Sequence, residues 1–253
     1  MFEVSAMTVT EFLQRHSASP EQLDSRECLN ALLEDMSQGL GGRGNIPMLL
    51  SYLTPEIAIP AGSRCCVLDA GGTNLRTALA VFSEDGSCRL EGLRKMPMPG
   101  TEGLLSHNAF YAALAAPVQA LGHYENVGFC FSYNVTLDRT LDGKLDFWCK
   151  EVQVPEAVGR PVGASLKAAL GDDCRRIHVL NDSVAAMLGA GDVQVGIILG
   201  TGVNVCYSEA CAGILKLPGR YEGSMIVSTE VGEFRGIAPS SFEADLIAAT
   251  DDP

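Results

Sequence analysis

Two strings of the same design constrain the fold more than any other feature of this chain. The first runs Cys65-Cys66-Val67-Leu68-Asp69-Ala70-Gly71-Gly72-Thr73-Asn74-Leu75-Arg76. Its apolar start, Cys65 to Leu68, reads as a buried strand ending on an acidic residue. A mostly apolar run from Leu75 to Phe82 returns as the partner strand. In the second string Gly200-Thr201-Gly202 separates apolar strands at Val195 to Leu199 and Val203 to Tyr207. Neighbouring glycines let backbone N–H groups close on an anion with no side chain in the way. Thr73 and Asn74 add hydroxyl and amide donors, and Asp69 is placed to hold a hydrated Mg²⁺ beside a polyphosphate. No G-x-x-x-x-G-K-[ST] string occurs, so neither turn is a Walker A loop. One such turn also admits the reading of a tight hairpin without a ligand. Two, separated by a strand that ends in Asn181-Asp182, read as clasps gripping a triphosphate from both sides of a cleft.

The elements between them alternate strand and helix. Ser19-Pro20-Glu21-Gln22 is a capping box with proline at the first helical position. Leu29, Leu32, Leu33, Met36 and Leu40 follow at helical spacing, and the helix is expected to stop in the glycine-rich stretch 39–44. Strands are predicted at Cys88 to Met96, Val127 to Ser132 and Ile177 to Leu180, with a short strand running into Trp148. Helices are predicted at Ala109 to Leu121, Val162 to Leu170 and Ser183 to Ala190. Three early antiparallel strands followed by βα alternation indicate an α/β protein.

Composition narrows the partners. The chain of 253 residues is 47% apolar and 19% charged, a globular balance, and its net charge of −13 argues against nucleic acid or an anionic membrane. A local glycine nest still admits ATP. Nine cysteines at irregular spacing, with no C-x-x-C, read as reduced thiols and speak against a zinc site. The N-terminus shows neither a basic nor an apolar leader segment, so a cytoplasmic location is expected.

Asp182 follows an apolar strand and opens a helix. Aspartate there is often only a helix cap. In phosphoryl transfer it would instead accept a proton from the attacking hydroxyl, late in a loose transition state. The residues alone leave both roles open.

The motifs, in their order, resemble the hexokinases of the actin-like ATPase superfamily. The matching strings are IPMLLSYLTP, LDAGGTNLR, FCFSYNV, LDFWCKEV, VLNDSVAAML, GTGVNVCY and VSTEVGEF, and they span nearly the whole chain. The resemblance implies an α/β, two-lobed, ribonuclease-H-like fold with the first lobe complete and the second partial. A helical segment would cover residues 1–60, the first lobe with a five-stranded sheet 61–182, and the start of the second lobe 183–253. It implies ATP-dependent phosphorylation of a hexose, glucose first among candidates, at its 6-hydroxyl with Asp182 as general base. Asp69, Gly71, Gly72, Thr73 and Asn74 would position the nucleotide phosphates, with Asp69 holding Mg²⁺ through water. Gly200, Thr201 and Gly202 would clasp the phosphates from the other lobe. Ser132, Lys150, Asn181, Asn204 and Glu230 would bind sugar hydroxyls, whereas Arg76 is expected to pair with an acidic neighbour.

Three positions depart from the family pattern. Cys149 precedes Lys150 where a threonine is usual, Asn134 replaces a proline, and Val231 a tryptophan. Family members also run considerably further than Pro253, and the absent portion would carry a second sugar-binding glutamate and the adenosine-binding segment. The expectation is therefore little or no kinase activity from these residues alone, and association through the incomplete large lobe. The alternative is a sugar-binding or regulatory protein that keeps the fold without catalysis. Asp182 and both glycine turns favour the kinase, since a binding module has no use for a base. A chaperone or filament ATPase gives no reason for Ser132, Lys150 and Glu230.

Overall fold

Thr8 opens the first helix, α1 (Val9–Arg15), by a reciprocal cap with Glu11: its hydroxyl accepts from the Glu11 N–H at 3.2 Å, and the Glu11 carboxylate accepts from the Thr8 N–H at 2.8 Å. The Ser19 box predicted as the start of a long helix closes only a single 3₁₀ turn, Pro20–Gln22. Asp24 is the true start. Its Oδ1 accepts from the N–H groups of Arg26 (2.9 Å) and Glu27 (3.1 Å), and α2 (Ser25–Leu40) follows, ending at Gly41 as the glycine run dictates. The structure, a computed structural model, describes residues 7–54, 59–148, 151–171, 174–200 and 202–250. Its contacts sort the chain into two compact units. One is Met48–Glu230, with every described strand; the other is Met1–Pro47 together with Val231–Pro253.

In the larger unit, the two-residue strand β1 (Leu49–Leu50) precedes a meander of β2 (Arg64–Ala70), β3 (Asn74–Phe82) and β4 (Cys88–Pro97). After α3 (His107–Gln119), β5 (Asn126–Phe131) pairs in parallel with β2. Burial alternates strictly along β2 and β5, so Cys66, Leu68, Ala70, Val127, Phe129 and Phe131 share one face. That face is covered by Phe110, Leu114 and Val118 of α3.

A small hairpin, β6 (Asn134–Leu137) and β7 (Gly143–Phe147), leads to α4 (Val162–Leu170) and then β8 (Arg176–Leu180), which joins β5 in parallel. The resulting five-stranded order is β4-β3-β2-β5-β8. Pro161, at the start of α4, offers no side-chain acceptor, and Asp142 from the hairpin tip serves instead. Its carboxylate accepts from the N–H groups of Gly143 (2.7 Å), Gly163 (2.6 Å) and Ala164 (2.8 Å). Replacing Asp142 with alanine orphans all three donors, and a loss of about 2 kcal/mol is expected. Urea unfolding of the variant checks it; an unchanged midpoint would show that water caps the helix as well.

The second sheet repeats the first in its opening. After α5 (Asp182–Gly189), β9 (Val195–Leu199), β10 (Val203–Ala210) and β11 (Ser224–Ser228) form another antiparallel meander around a glycine turn, and β1 closes it in the order β1-β11-β10-β9. Helix α5 packs on β9 through Gly196, where a Cβ would lie 2.8 Å from Cys206 Sγ and 2.9 Å from Met187 Cβ. That close approach seats the start of α5, and so Asp182, beside the second glycine turn. Where β2 has β5 and β8 on its far side, β9 has no strand on its far side among the described residues. Its Val195, Ile197 and Leu199 are 52%, 63% and 85% exposed.

The smaller unit gains its last element in α6 (Ser241–Ala249). Ser241 donates its N–H to the His16 carbonyl at 3.0 Å, and Phe242 packs edge-on to Phe12 at 5.9 Å. Among the described residues no helix is long and apolar enough to cross a membrane.

Candidate active site

The strand ends of both sheets open on one cleft of about 630 Å³. Gly72 and Thr73 line it from the β2–β3 turn, Ser132 and Tyr133 from the loop after β5, and Asn134 from the start of β6. Asn181 and Asp182 reach it from the start of α5, and Gly200, Gly202 and Asn204 from the β9–β10 hairpin. Glu230 completes the wall just past β11.

The first turn is built locally. The Gly71 N–H donates to the Asn74 carbonyl at 3.0 Å, the Thr73 carbonyl accepts from the Met98 N–H at 3.0 Å, and the Gly71 carbonyl accepts from the Tyr133 hydroxyl at 2.8 Å. Asp69, Gly71 and Asn74 shape this turn without lining the cleft themselves. Asp69 lies opposite Arg76 in the β2–β3 ladder, and their side chains form a salt bridge at 2.7 Å, the pairing expected of Arg76. Both partners are well exposed, so the bridge orients the carboxylate more than it stabilises the fold. In the second turn the Gly200 N–H donates to the Gly202 carbonyl at 2.9 Å.

The opposite wall is a connected polar network. Glu230 accepts at Oε1 from Asn204 Nδ2 (2.6 Å), Ser228 Oγ (3.0 Å) and Asn181 Nδ2 (3.4 Å). Asn204 Oδ1 in turn accepts from the Glu230 N–H at 3.0 Å. Glu230 sits at φ 58°, in the left-handed region that a side chain disfavours. Such strain collects where function fixes a residue. Asn181, not Asp182, caps α5: its Oδ1 accepts from the Ser183 N–H at 2.9 Å and from Ser183 Oγ at 2.7 Å. Asp182 is the first helical residue, and its Oδ1 shares the same N–H at 2.8 Å.

A family model described as hexokinase matches residues 8–191, and a second, also described as hexokinase, matches residues 194–247. The chain belongs to the hexokinase family. It is 33% identical to the hexokinase-like 1 protein of Arabidopsis thaliana over 92% of this chain and 52% of that one. It is 31% identical to hexokinase-1 of rice, Oryza sativa subsp. japonica, over 82% and 47%. Among solved structures, the hexokinase from Schistosoma mansoni complexed with glucose superposes with a TM-score of 0.67 at 23% identity, covering 83% of this chain and 53% of that one. A further hexokinase crystal structure superposes at 0.64 with 22% identity, covering 98% and 59%. These place the chain in the hexokinase fold, and it spans about half the length of the curated hexokinases it matches.

Of the residues that the sequence assigns to the hexokinase site, the cleft gathers Gly72, Thr73, Ser132, Asn181, Asp182, Gly200, Gly202, Asn204 and Glu230. Lys150 and Thr201 lie outside the described residues. Sequence reasoning missed Tyr133, Asn134, Glu151, Ile198 and Val203 in the lining, and the supporting hydroxyl of Ser228. Tyr133 had a signal: an aromatic side chain between two polar residues at a strand end. The others carry none.

Behind the cleft, Cys130 pairs with Asp69 in the β2–β5 ladder. Burial first, then the charges of Asp69 and Asp182, push its thiol well above the ordinary 9.0. Burial likewise raises Cys65, Cys174 and Cys206, and drives Cys66 up to about 12. An acid whose folded pKa is raised favours folding fully below its unfolded value and loses that favour as pH climbs toward the folded one. The melting temperature is therefore expected to fall as pH rises from 9 toward 12. A melting temperature flat across that window would contradict the burial of these thiols.

Proposed function

We infer that the cleft binds a hexose and the polyphosphate of ATP, and that Asp182 takes the proton from the sugar's 6-hydroxyl as it attacks. One observation carries this reading: Asp182 lines the same cleft as the glycines of both turns. A sugar hydroxyl needs an acceptor for its proton and donors for its lone pairs. Ser132, Asn181, Asn204 and Glu230 supply both kinds, and buried polar groups that would go unpaired against a wrong ligand give discrimination. The loose transition state asks little of the base beyond placement, and an ordinary carboxylate suffices.

The donor set suits the nucleotide as well. Glycine amides fit phosphate oxygens, and a single carboxylate at a strand end fits Mg²⁺, which keeps several of its waters. Asp69, beside the turn, would hold that ion through water, while Gly72 and Thr73, on a turn shaped by Gly71 and Asn74, grip phosphate from one side and Gly200 and Gly202 from the other. ATP supplies the phosphoryl group and Mg²⁺ offsets its charge; the chain's own residues bind, orient and hold the proton.

A second reading is a sugar-binding module without turnover: Asn181, Asn204, Ser228 and Glu230 form a polar wall that could hold a sugar whether or not a proton is taken from it. Glucose binding, read from the single tryptophan Trp148 packed 4.9 Å from Tyr133, separates them when measured beside sugar-dependent ATP turnover. Turnover that disappears in Asp182→Ala supports the kinase. Glucose binding with no turnover in the parent supports the module, and absence of glucose binding defeats both.

A further inference from the structure

The Tyr133 hydroxyl ties the sugar side of the cleft to the phosphate side. The residue is 3% exposed, and its ring is held against Phe131 at 4.8 Å and edge-on to Trp148 at 4.9 Å. The indole is itself fixed, since Trp148 Nε1 donates to the Val154 carbonyl at 2.8 Å. With the ring immobilised, the hydroxyl donates to the Gly71 carbonyl at 2.8 Å. In a trans peptide the C=O and the following N–H point in opposite directions, and the chain has no cis peptides among its described residues. A bond on the Gly71 carbonyl therefore fixes the Gly72 N–H on the other side, and Gly72 lines the cleft.

This peptide is the one most in need of fixing. Both its residues lack a Cβ, so nothing steric resists a flip. A flip would exchange an N–H for a carbonyl oxygen at the place where an anion must sit. Two further carbonyls of the turn are already tied back, that of Thr73 by the Met98 N–H and that of Asn74 by the Gly71 N–H. We propose that Tyr133 is a positioning residue for phosphate: its hydroxyl, anchored by Phe131 and Trp148, locks the Gly71–Gly72 peptide with its N–H presented to the cleft. The proposal rests on the reading of this cleft as a polyphosphate site. Tyr133 also stands between Ser132 and Asn134, both in the cleft wall, so its ring packing holds the loop assigned to sugar while its hydroxyl acts on the turn assigned to phosphate.

Tyr133→Phe keeps the ring and its packing and removes only the donor. Binding of magnesium pyrophosphate and of glucose is measured separately by calorimetry on the full chain. The Kd for pyrophosphate is expected to rise about 3- to 10-fold, the worth of one hydrogen bond, with the Kd for glucose unmoved. Equal weakening of both ligands would mean general loosening and would overturn the proposal, as would an unchanged pyrophosphate affinity. A second readout needs no ligand. The Gly72 amide resonance is expected to be single and sharp in the parent and broadened or doubled in the variant; an unaltered resonance overturns the lock. Should the parent bind neither ligand while the Gly72 resonance still responds, the lock stands and the polyphosphate reading falls.

Discussion

Asp182→Asn is expected to lower sugar-dependent ATP turnover by about 10²- to 10⁴-fold, the usual worth of a positioned general base. Glucose affinity should barely change. Asparagine is nearly isosteric with aspartate and keeps an oxygen acceptor for the Ser183 N–H, which Asp182 Oδ1 now meets at 2.8 Å. The start of α5 is also secured independently by Asn181, whose Oδ1 accepts from the same N–H. The substitution therefore leaves the helix and the cleft wall standing and removes only the capacity to take a proton. Loss of kcat with KM for sugar retained is the signature of a group that acts in the transition state alone. Parallel assays of parent and variant, with glucose binding measured on both, give the split directly. Turnover within tenfold of the parent would reassign Asp182 to the cap-like role that aspartate often plays at such positions.

What could be read from the residues in advance was whatever is encoded locally. The glycine turns announce themselves in four or five consecutive residues, and Val162–Leu170 carries its own helical pattern, so its predicted and observed bounds coincide. The Ser19 box misled because a cap needs only four residues while a helix needs a continuation, and Leu23-Asp24 breaks it. β11 escaped notice although Met225-Ile226-Val227 is a short buried apolar run, because such a run fits a strand or a buried helix equally. The network around Glu230 escaped for a different reason. Asn181 and Asn204 lie 49 and 26 residues from Glu230, and Asn204 lies 24 from Ser228; only the pairing of β10 with β11 and the seating of α5 on Gly196 make them neighbours. The Asp142 cap on α4 and the Tyr133 bond to Gly71 are likewise contacts between distant segments, spanning 21 and 62 residues.

Glu230 permits a test in which stability and binding part company. Its backbone lies at φ 58°, where glycine is at ease and any other L residue pays about 1 kcal/mol. Its carboxylate accepts from Asn204, Ser228 and Asn181 at the cleft wall, where water can replace it as a partner. Glu230→Gly therefore relieves backbone strain while deleting a charged acceptor. The relief and the lost hydrogen bonds oppose each other, so unfolding free energy is expected to stay within about 1 kcal/mol of the parent. Glucose affinity has no such compensation. Losing a charged acceptor, and leaving three donors to solvent when the sugar enters, should cost about 2–4 kcal/mol, or roughly 30- to 1,000-fold in Kd. Urea unfolding and glucose titration on the same preparation make the comparison. A variant that unfolds readily and binds poorly would mark Glu230 as a structural keystone. One that keeps both stability and glucose would remove it from the sugar site. Only intact folding with binding lost accounts for a carboxylate held in a backbone conformation that the chain would otherwise give to glycine.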